Sequence, residues 1–285
     1  MYEEHSSETA VMAAAARAAH LIVDQAPLIF SDPLAVRLLG DRADELISYH
    51  RLHGDHPILS GARAQTAVRS RVVEDRLALL TEHGLTQYVI LGAGLDTFAY
   101  RDHTKGLRVF EVDHPATQQW KQHRLAATAM PIPGTVSFVP VDFDDDPLAD
   151  RLIAAGFDPT EPALISWLGV TMYLTWDAID RTLATLSGFA PGTELVLDYL
   201  LPEHLRDEAG NTYAKFVGQV AADGGEPWLT CPTPEEMTVH LADHGFGPTK
   251  HLGQRDAIDT ELWQRSDSLT PAGLQMLAHA TKNTA

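Results

Sequence analysis

The chain has one cysteine, Cys231, in 285 residues, so no internal disulfide can brace it. That economy fits a reducing compartment, and the cytoplasm is the expected location. Basic residues are scarce, with 21 Lys and Arg against 39 Asp and Glu, a formal charge of −18. Such a surface repels a phosphate backbone or an anionic bilayer, so neither nucleic acid nor membrane is expected as a partner. Long apolar runs are missing too. Arg17 and His20 interrupt Val11 to Val23, and Glu3, Glu4 and Glu8 precede it, where a signal peptide would carry positive charge. Nothing approaches the roughly 20 apolar residues of a membrane span. Repeats and polar linkers are absent, which points to a single domain. Residues 1–84 would form a helical cap with a cofactor-clamping helix, and 85–265 the core with a substrate-covering insertion around 203–232. Residues 266–285 would be a tail.

What is present centres on Tyr88 to His114, YVILGAGLDTFAYRDHTKGLRVFEVDH. Tyr88 to Leu91 is a short run of β-formers, as in a buried strand. It empties into Gly92-Ala93-Gly94, a turn bare enough for backbone to approach a ligand. Asp96-Thr97 offers a helix start, and a second strand, Leu107 to Val112, ends among Glu111 and Asp113. Strand, glycine turn, helix, strand and acid together form an α/β device for holding the ribose of a nucleotide-like cofactor. Two cofactor classes use such a device. A dinucleotide puts its pyrophosphate at the helix N-terminus, where the Asp96 carboxylate would repel it, and Thr97 stands where a third glycine belongs. S-adenosylmethionine carries a cationic sulfonium and no phosphate. Charge and spacing favour it, with NAD kept as the alternative.

LGAGLDTFAYR followed by FEVDHP resembles the leucine carboxyl methyltransferase family, including its bacterial branch of polyketide carboxyl O-methyltransferases. VPVDFDDD, SWLGVTMYLT and GEPW extend the similarity from about Ala10 to Phe246. The resemblance implies a Rossmann-like methyltransferase fold of class I, a mostly parallel seven-stranded sheet with an N-terminal helical cap. It implies S-adenosyl-L-methionine as cofactor, and Gly92, Ala93, Gly94, Asp96, Asp113 and His114 as its cradle. Arg69-Ser70-Arg71 resembles the family's RTR segment, whose first arginine clamps the methionine carboxylate. Arg69 inherits that role, with Arg71 and Arg63 as understudies. Asp142-Phe143 resembles the acid and apolar pair at the adenine. Where protein-directed members carry a glutamate, this chain has Leu168, which is then at most an apolar wall.

The remaining pattern fills the architecture. Helices are expected at Val11–Asp24, Leu34–Leu39, Ala43–His50, Ala62–His83, His114–Met130, Leu148–Ala155, Trp176–Gly188, Glu203–Val220 and Pro234–His244. Further strands are expected at Val136–Val141, Ala163–Leu168 and Thr193–Leu201. Pro248–Leu252 and Glu261–Gln264 are expected as an edge hairpin, and Thr270–Ala285 as a fraying helix. His50, His53 and His56 read better as a solvated loop than as a metal site, because Gly54 and Pro57 break the helix there. Asp144, Asp145 and Asp146 read better as a helix cap than as divalent-cation ligands. Cys231 reads as filler, since nothing nearby in sequence would activate it.

Methyl transfer is an in-line displacement, so positioning supplies much of the catalysis. A carboxylate, with a reference pKa near 4, is already ionised at pH 7, whereas a phenol, near 10, needs a base. No His/Asp pair in the sequence announces itself as that base. Tyr173, Tyr199 and His114 are candidates for positioning the acceptor, and Trp228 is either a wall of its pocket or a core aromatic. The expected activity is O-methylation of a small-molecule carboxylate or phenol of secondary metabolism. An NAD-dependent oxidoreductase and a non-catalytic adenosylmethionine binder are the alternatives.

Overall fold

The computed structural model describes residues 7–101, 104–143 and 147–283. Ser7 caps α1 (Glu8–Val23), its hydroxyl accepting the Ala10 N–H. Then come α2 (Ala35–Leu38), α3 (Ala43–His53) and α4 (Pro57–Glu82). Pro57 sits in the first turn of α4, where its missing N–H costs nothing. The helix therefore starts ahead of the expected Ala62. The histidine segment is not a loop either: His50 and His53 lie in α3, and His56 caps α4 by accepting the Ile58 N–H.

Strands and helices then alternate as β1 (Gln87–Leu91), α5 (Phe98–Arg101), β2 (Arg108–Asp113), α6 (Pro115–Ala127), β3 (Val136–Pro140), α7 (Leu148–Ala154), β4 (Leu164–Trp167), α8 (Trp176–Leu186) and β5 (Glu194–Leu200). After them come α9 (Glu208–Asp223), α10 (Pro234–Asp243), β6 (Lys250–Gly253) and β7 (Gln275–Thr281). The seven strands are ordered β3-β2-β1-β4-β5-β7-β6. All pair in parallel except β7, which runs antiparallel to β5 and β6. This is the α/β Rossmann-like architecture expected from the sequence.

β1, β4 and β5 are buried along their whole length, because helices cover both faces of the sheet. Tyr88, Ile90, Leu164 and Val196 pack with α1 and α4 on one face. Val89, Leu91, Ile165, Trp167, Leu197 and Tyr199 pack with α7, α8 and α10 on the other. Strand alternation alone decides which neighbour goes to which side.

The C-terminal reading needs correction. Thr260–Trp263 is a short 3₁₀ turn, not a strand, and Gln275–Thr281 is a strand, not a fraying helix. Gln, Met, Leu and Ala favour helix as an isolated segment. Here they fill the slot between β5 and β6, where ladder bonds and burial outweigh that preference. The last segment thus belongs to the sheet.

Successive connections from β1 and from β3 leave in opposite directions, to β2 and to β4. The crevice they open lies beyond the tips of β1 and β4, where Leu91 sits beside Trp167.

Candidate cofactor and acceptor site

At the tip of β1, Gly92 (φ 68°) and Gly94 (φ 45°) both adopt left-handed backbone. A Cβ on Gly92 would lie 2.2 Å from Val170 Cγ2, so the turn and the segment after β4 are in close contact. Ala93 is buried in the same turn, its N–H donating to the Val112 carbonyl at 3.0 Å. The turn leads into α5, a single helical turn. Asp96 Oδ1 accepts the Phe98 N–H at 2.7 Å, so a carboxylate already occupies the spot where a pyrophosphate would sit.

Asp113, at the tip of β2, accepts the Gly94 N–H through Oδ2 and the His114 N–H through Oδ1, the latter at 2.7 Å. Burial pushes its carboxyl up, against the pull of those two N–H groups. Each oxygen keeps a lone pair for a further donor. His114 caps α6, its Nδ1 accepting the Ala116 N–H at 3.3 Å. Its Nε2 faces Asp142 Oδ2 at 3.9 Å. Phe143 lies beside Trp167, ring centroids 6.2 Å apart. The structure thus gathers Asp113, His114, Asp142 and Phe143 around the tips of β2 and β3. The acidic run Asp144–Asp146 lies outside the described residues.

Of the three arginines weighed for the clamp, only Arg69 reaches the strand tips. Its Nη1 donates to Asp198 Oδ2 at 3.1 Å. A Cβ on Gly169, just past β4, would lie 2.8 Å from both guanidinium Nη atoms. Arg63 is fully buried elsewhere, donating to Asp24 and to the Gly54 carbonyl. Arg71 bonds Asp75 and the Ile29 carbonyl. Asp198 was missed as a site residue, though an acid within the apolar run ELVLDYL carries a signal: a buried carboxylate requires a partner. Its other oxygen accepts the Gly169 N–H at 2.6 Å. Leu168, half-buried, packs against the core on the α4 side.

Tyr173 follows β4 in a 3₁₀ turn, Thr171–Tyr173, near Thr9, Arg69, Glu226 and Trp228. Burial pushes its phenol above the ordinary value. Met172, Leu200 and Leu274 form an apolar floor on which Tyr173, Tyr213, Trp228 and Cys231 pack. Two helical glycines make room for the rings. A Cβ on Gly61 would lie 3.1 Å from the Tyr213 ring, and one on Gly218 would lie 3.3 Å from Trp228. Tyr199 does not join this group. Its hydroxyl lies 2.9 Å from His251 Nδ1, and its side chain is buried on the α10 face. The reading of Tyr199 as acceptor-facing is therefore corrected: Asp198 points to the mouth, so its neighbour in the strand must point away.

The model of one protein family, leucine carboxyl methyltransferase, matches residues 10–187. The chain belongs to that family. It is 33% identical over 99% of its length, and 100% of the relative's, to YktD of Bacillus subtilis (strain 168), named as an S-adenosyl-L-methionine-dependent methyltransferase. A relative in Mycobacterium marinum, also named as an S-adenosyl-L-methionine-dependent methyltransferase, is 39% identical over 67% of this chain and 65% of its own. Among solved structures, a DUF574 family protein from Streptomyces avermitilis superposes with a TM-score of 0.60 at 17% identity, covering 99% of this chain and 100% of that one. A structure from Thermobifida fusca YX, described as a methyltransferase, gives 0.58 at 21%, covering 87% and 92%. This leucine carboxyl methyltransferase family member is an S-adenosylmethionine-dependent methyltransferase. The residues fit that cofactor. Asp113 has acceptors to spare for hydroxyls, the turn is bare, and Asp96 disfavours phosphate.

Proposed function

We propose that the chain methylates the carboxylate of a small molecule on oxygen, with Arg69, Asp113, Asp142 and Phe143 holding S-adenosylmethionine. The cofactor supplies an electrophilic methyl group. Arg69 serves the methionine carboxylate, Asp113 the ribose and Asp142 with Phe143 the adenine, while Gly92, Ala93 and Gly94 present backbone to the cofactor. His114 shapes the rim, and Leu168 lines it.

The observation that carries the choice of acceptor is Tyr173. Burial raises its phenol, so it stays protonated at neutral pH and donates rather than abstracts. Around it stand Thr9, Arg69, Glu226 and Trp228. The Arg69 guanidinium and the protonated Tyr173 hydroxyl, set against the Glu226 carboxylate beside them, would orient an acceptor oxygen that is already anionic. A carboxylate meets that condition and a phenol does not. Leu168 and the charge of −18 both argue against an acidic protein tail as substrate. Tyr213 and Trp228 give the acceptor side an aromatic lining, so α9 and the loop after it cover a compact, largely apolar acid. We place this chemistry in the cytoplasm and in secondary metabolism.

The test is transfer from methyl-labelled cofactor to matched pairs of aromatic or aliphatic acids, their methyl esters and the corresponding phenols. Label should enter the acids and not their esters. Transfer to phenols with the acids inert would refute the assignment.

A further inference from the structure

Behind the glycine turn runs a chain of buried charge that the transfer chemistry does not use. Arg17, on α1, is 8% exposed and Asp32, in the segment after it, 1%. Arg17 Nε donates to Asp32 Oδ2 at 2.9 Å, and its Nη2 donates to the Leu95 carbonyl at 2.6 Å. Asp32 Oδ1 accepts the Thr97 hydroxyl at 2.6 Å, together with the N–H groups of Leu34 and Ala35. Thr97 Oγ1 in turn accepts Arg101 Nε at 2.8 Å, and Arg101 pairs with Glu74 on α4.

Leu95 and Thr97 flank Asp96, so this network grips the end of the cofactor turn from both sides. Residues 92–97 belong to neither a strand nor a helix. Within the turn itself, the Asp96 N–H to Ala93 carbonyl bond, at 2.7 Å, is the contact that shapes the backbone. The same α1 helix presses on the turn's other end, where a Cβ on Gly94 would lie 3.2 Å from Ala10 Cβ. Apolar packing could stabilise the junction as well as buried ions do. Directional bonds do something packing cannot: they fix where the Leu95 carbonyl and the Thr97 hydroxyl point, and through them the path of the backbone that carries the Gly94 N–H to Asp113.

We propose that Arg17 and Asp32 are positioning residues for the cofactor, holding the turn from Gly92 to Thr97 in its binding conformation from the N-terminal helical layer. Neither touches the cofactor. Thr97 relays their hold to the turn.

Thr97→Val is the decisive variant, because it keeps the shape and removes the hydroxyl; Asp32→Asn and Thr97→Ser accompany it. Calorimetry with S-adenosylhomocysteine should show binding weakened about tenfold in Thr97→Val and Asp32→Asn, and restored to within about twofold in Thr97→Ser. The KM for S-adenosylmethionine should rise in parallel, with kcat at saturating cofactor changed less than about threefold. Hydrogen exchange should quicken at amides 92–97 while β4 and β5 keep their protection. Folded Thr97→Val with affinity within about twofold of wild type would overturn the proposal, as would faster exchange spread over the whole sheet with affinity unchanged. Should Asp32→Asn fail to fold, Thr97→Val decides alone.

Discussion

Asp198 holds Arg69 at 3.1 Å through one carboxylate oxygen and the Gly169 N–H at 2.6 Å through the other. The Thr171 hydroxyl, donating to the Asp198 main-chain carbonyl at 2.6 Å, ties the following turn to the same point. One buried acid thus sets the guanidinium, the segment past β4 and the approach to Tyr173. Arg69→Met should weaken S-adenosylhomocysteine binding about tenfold or more, read by calorimetry. Arg69→Lys should not restore it, since a point charge cannot serve Asp198 and a second carboxylate as a planar fork does. Asp198→Asn should lower both affinity and melting temperature. Arg69→Met with wild-type affinity would remove the clamp from the account.

Asp113 stands between the turn and the rim. Asp113→Ala strips the Gly94 and His114 N–H groups of their acceptor as well as any ribose contact, and should cost about tenfold or more in cofactor affinity. Asp113→Asn keeps the shape and loses the charge, so an intermediate value is expected. Equal affinities for all three proteins would contradict the assignment.

Tyr173 and Tyr199 should separate cleanly. Tyr173→Phe should lower kcat/KM for the acceptor about tenfold, with S-adenosylhomocysteine affinity held, because only the acceptor side loses a donor. Tyr199→Phe should leave both steady-state constants within about twofold and cost about 1 kcal/mol of stability through the lost His251 contact. The reverse pattern would mean that the acceptor lies on the α10 face.

His50 is 3% exposed, and burial and then the Arg63 guanidinium lower it from 6.5 to about 4. A histidine depressed on folding binds its proton more weakly than in the unfolded chain. Its contribution is therefore whole above about 6.5 and is lost as pH falls through the window down to about 4. The full shift corresponds to about 3 kcal/mol. Urea midpoints of wild type and His50→Gln should diverge at pH 7.5 and converge near pH 4.5 if this holds. Parallel midpoints across that range would contradict it.

Much of the fold was legible because β1, β4 and β5 are short apolar runs closed by turns, and because the glycine turn and the acids after it have fixed spacing. The motifs mark the positions of Asp113 and Asp142 at strand tips and of Arg69 on α4, which the structure brings to Asp198. The end of the chain was not legible. Gln275 to Thr281 has helix-forming composition, and only the slot between β5 and β6 makes it a strand. Adjacent strand residues such as Asp198 and Tyr199 face opposite ways, and sequence alone does not say which faces the mouth. Arg17 and Asp32 were invisible as partners, because the contacts join residues on separate segments to a turn 78 and 65 positions further on.

The most direct measurement is the chemical stability of the product formed from methyl-labelled S-adenosylmethionine and an accepted acid. A methyl ester releases its label as volatile methanol in mild base. The account predicts that release, at one equivalent per methyl transferred. Label that survives the same base as an ether, an amine or a carbon-bound methyl would contradict it.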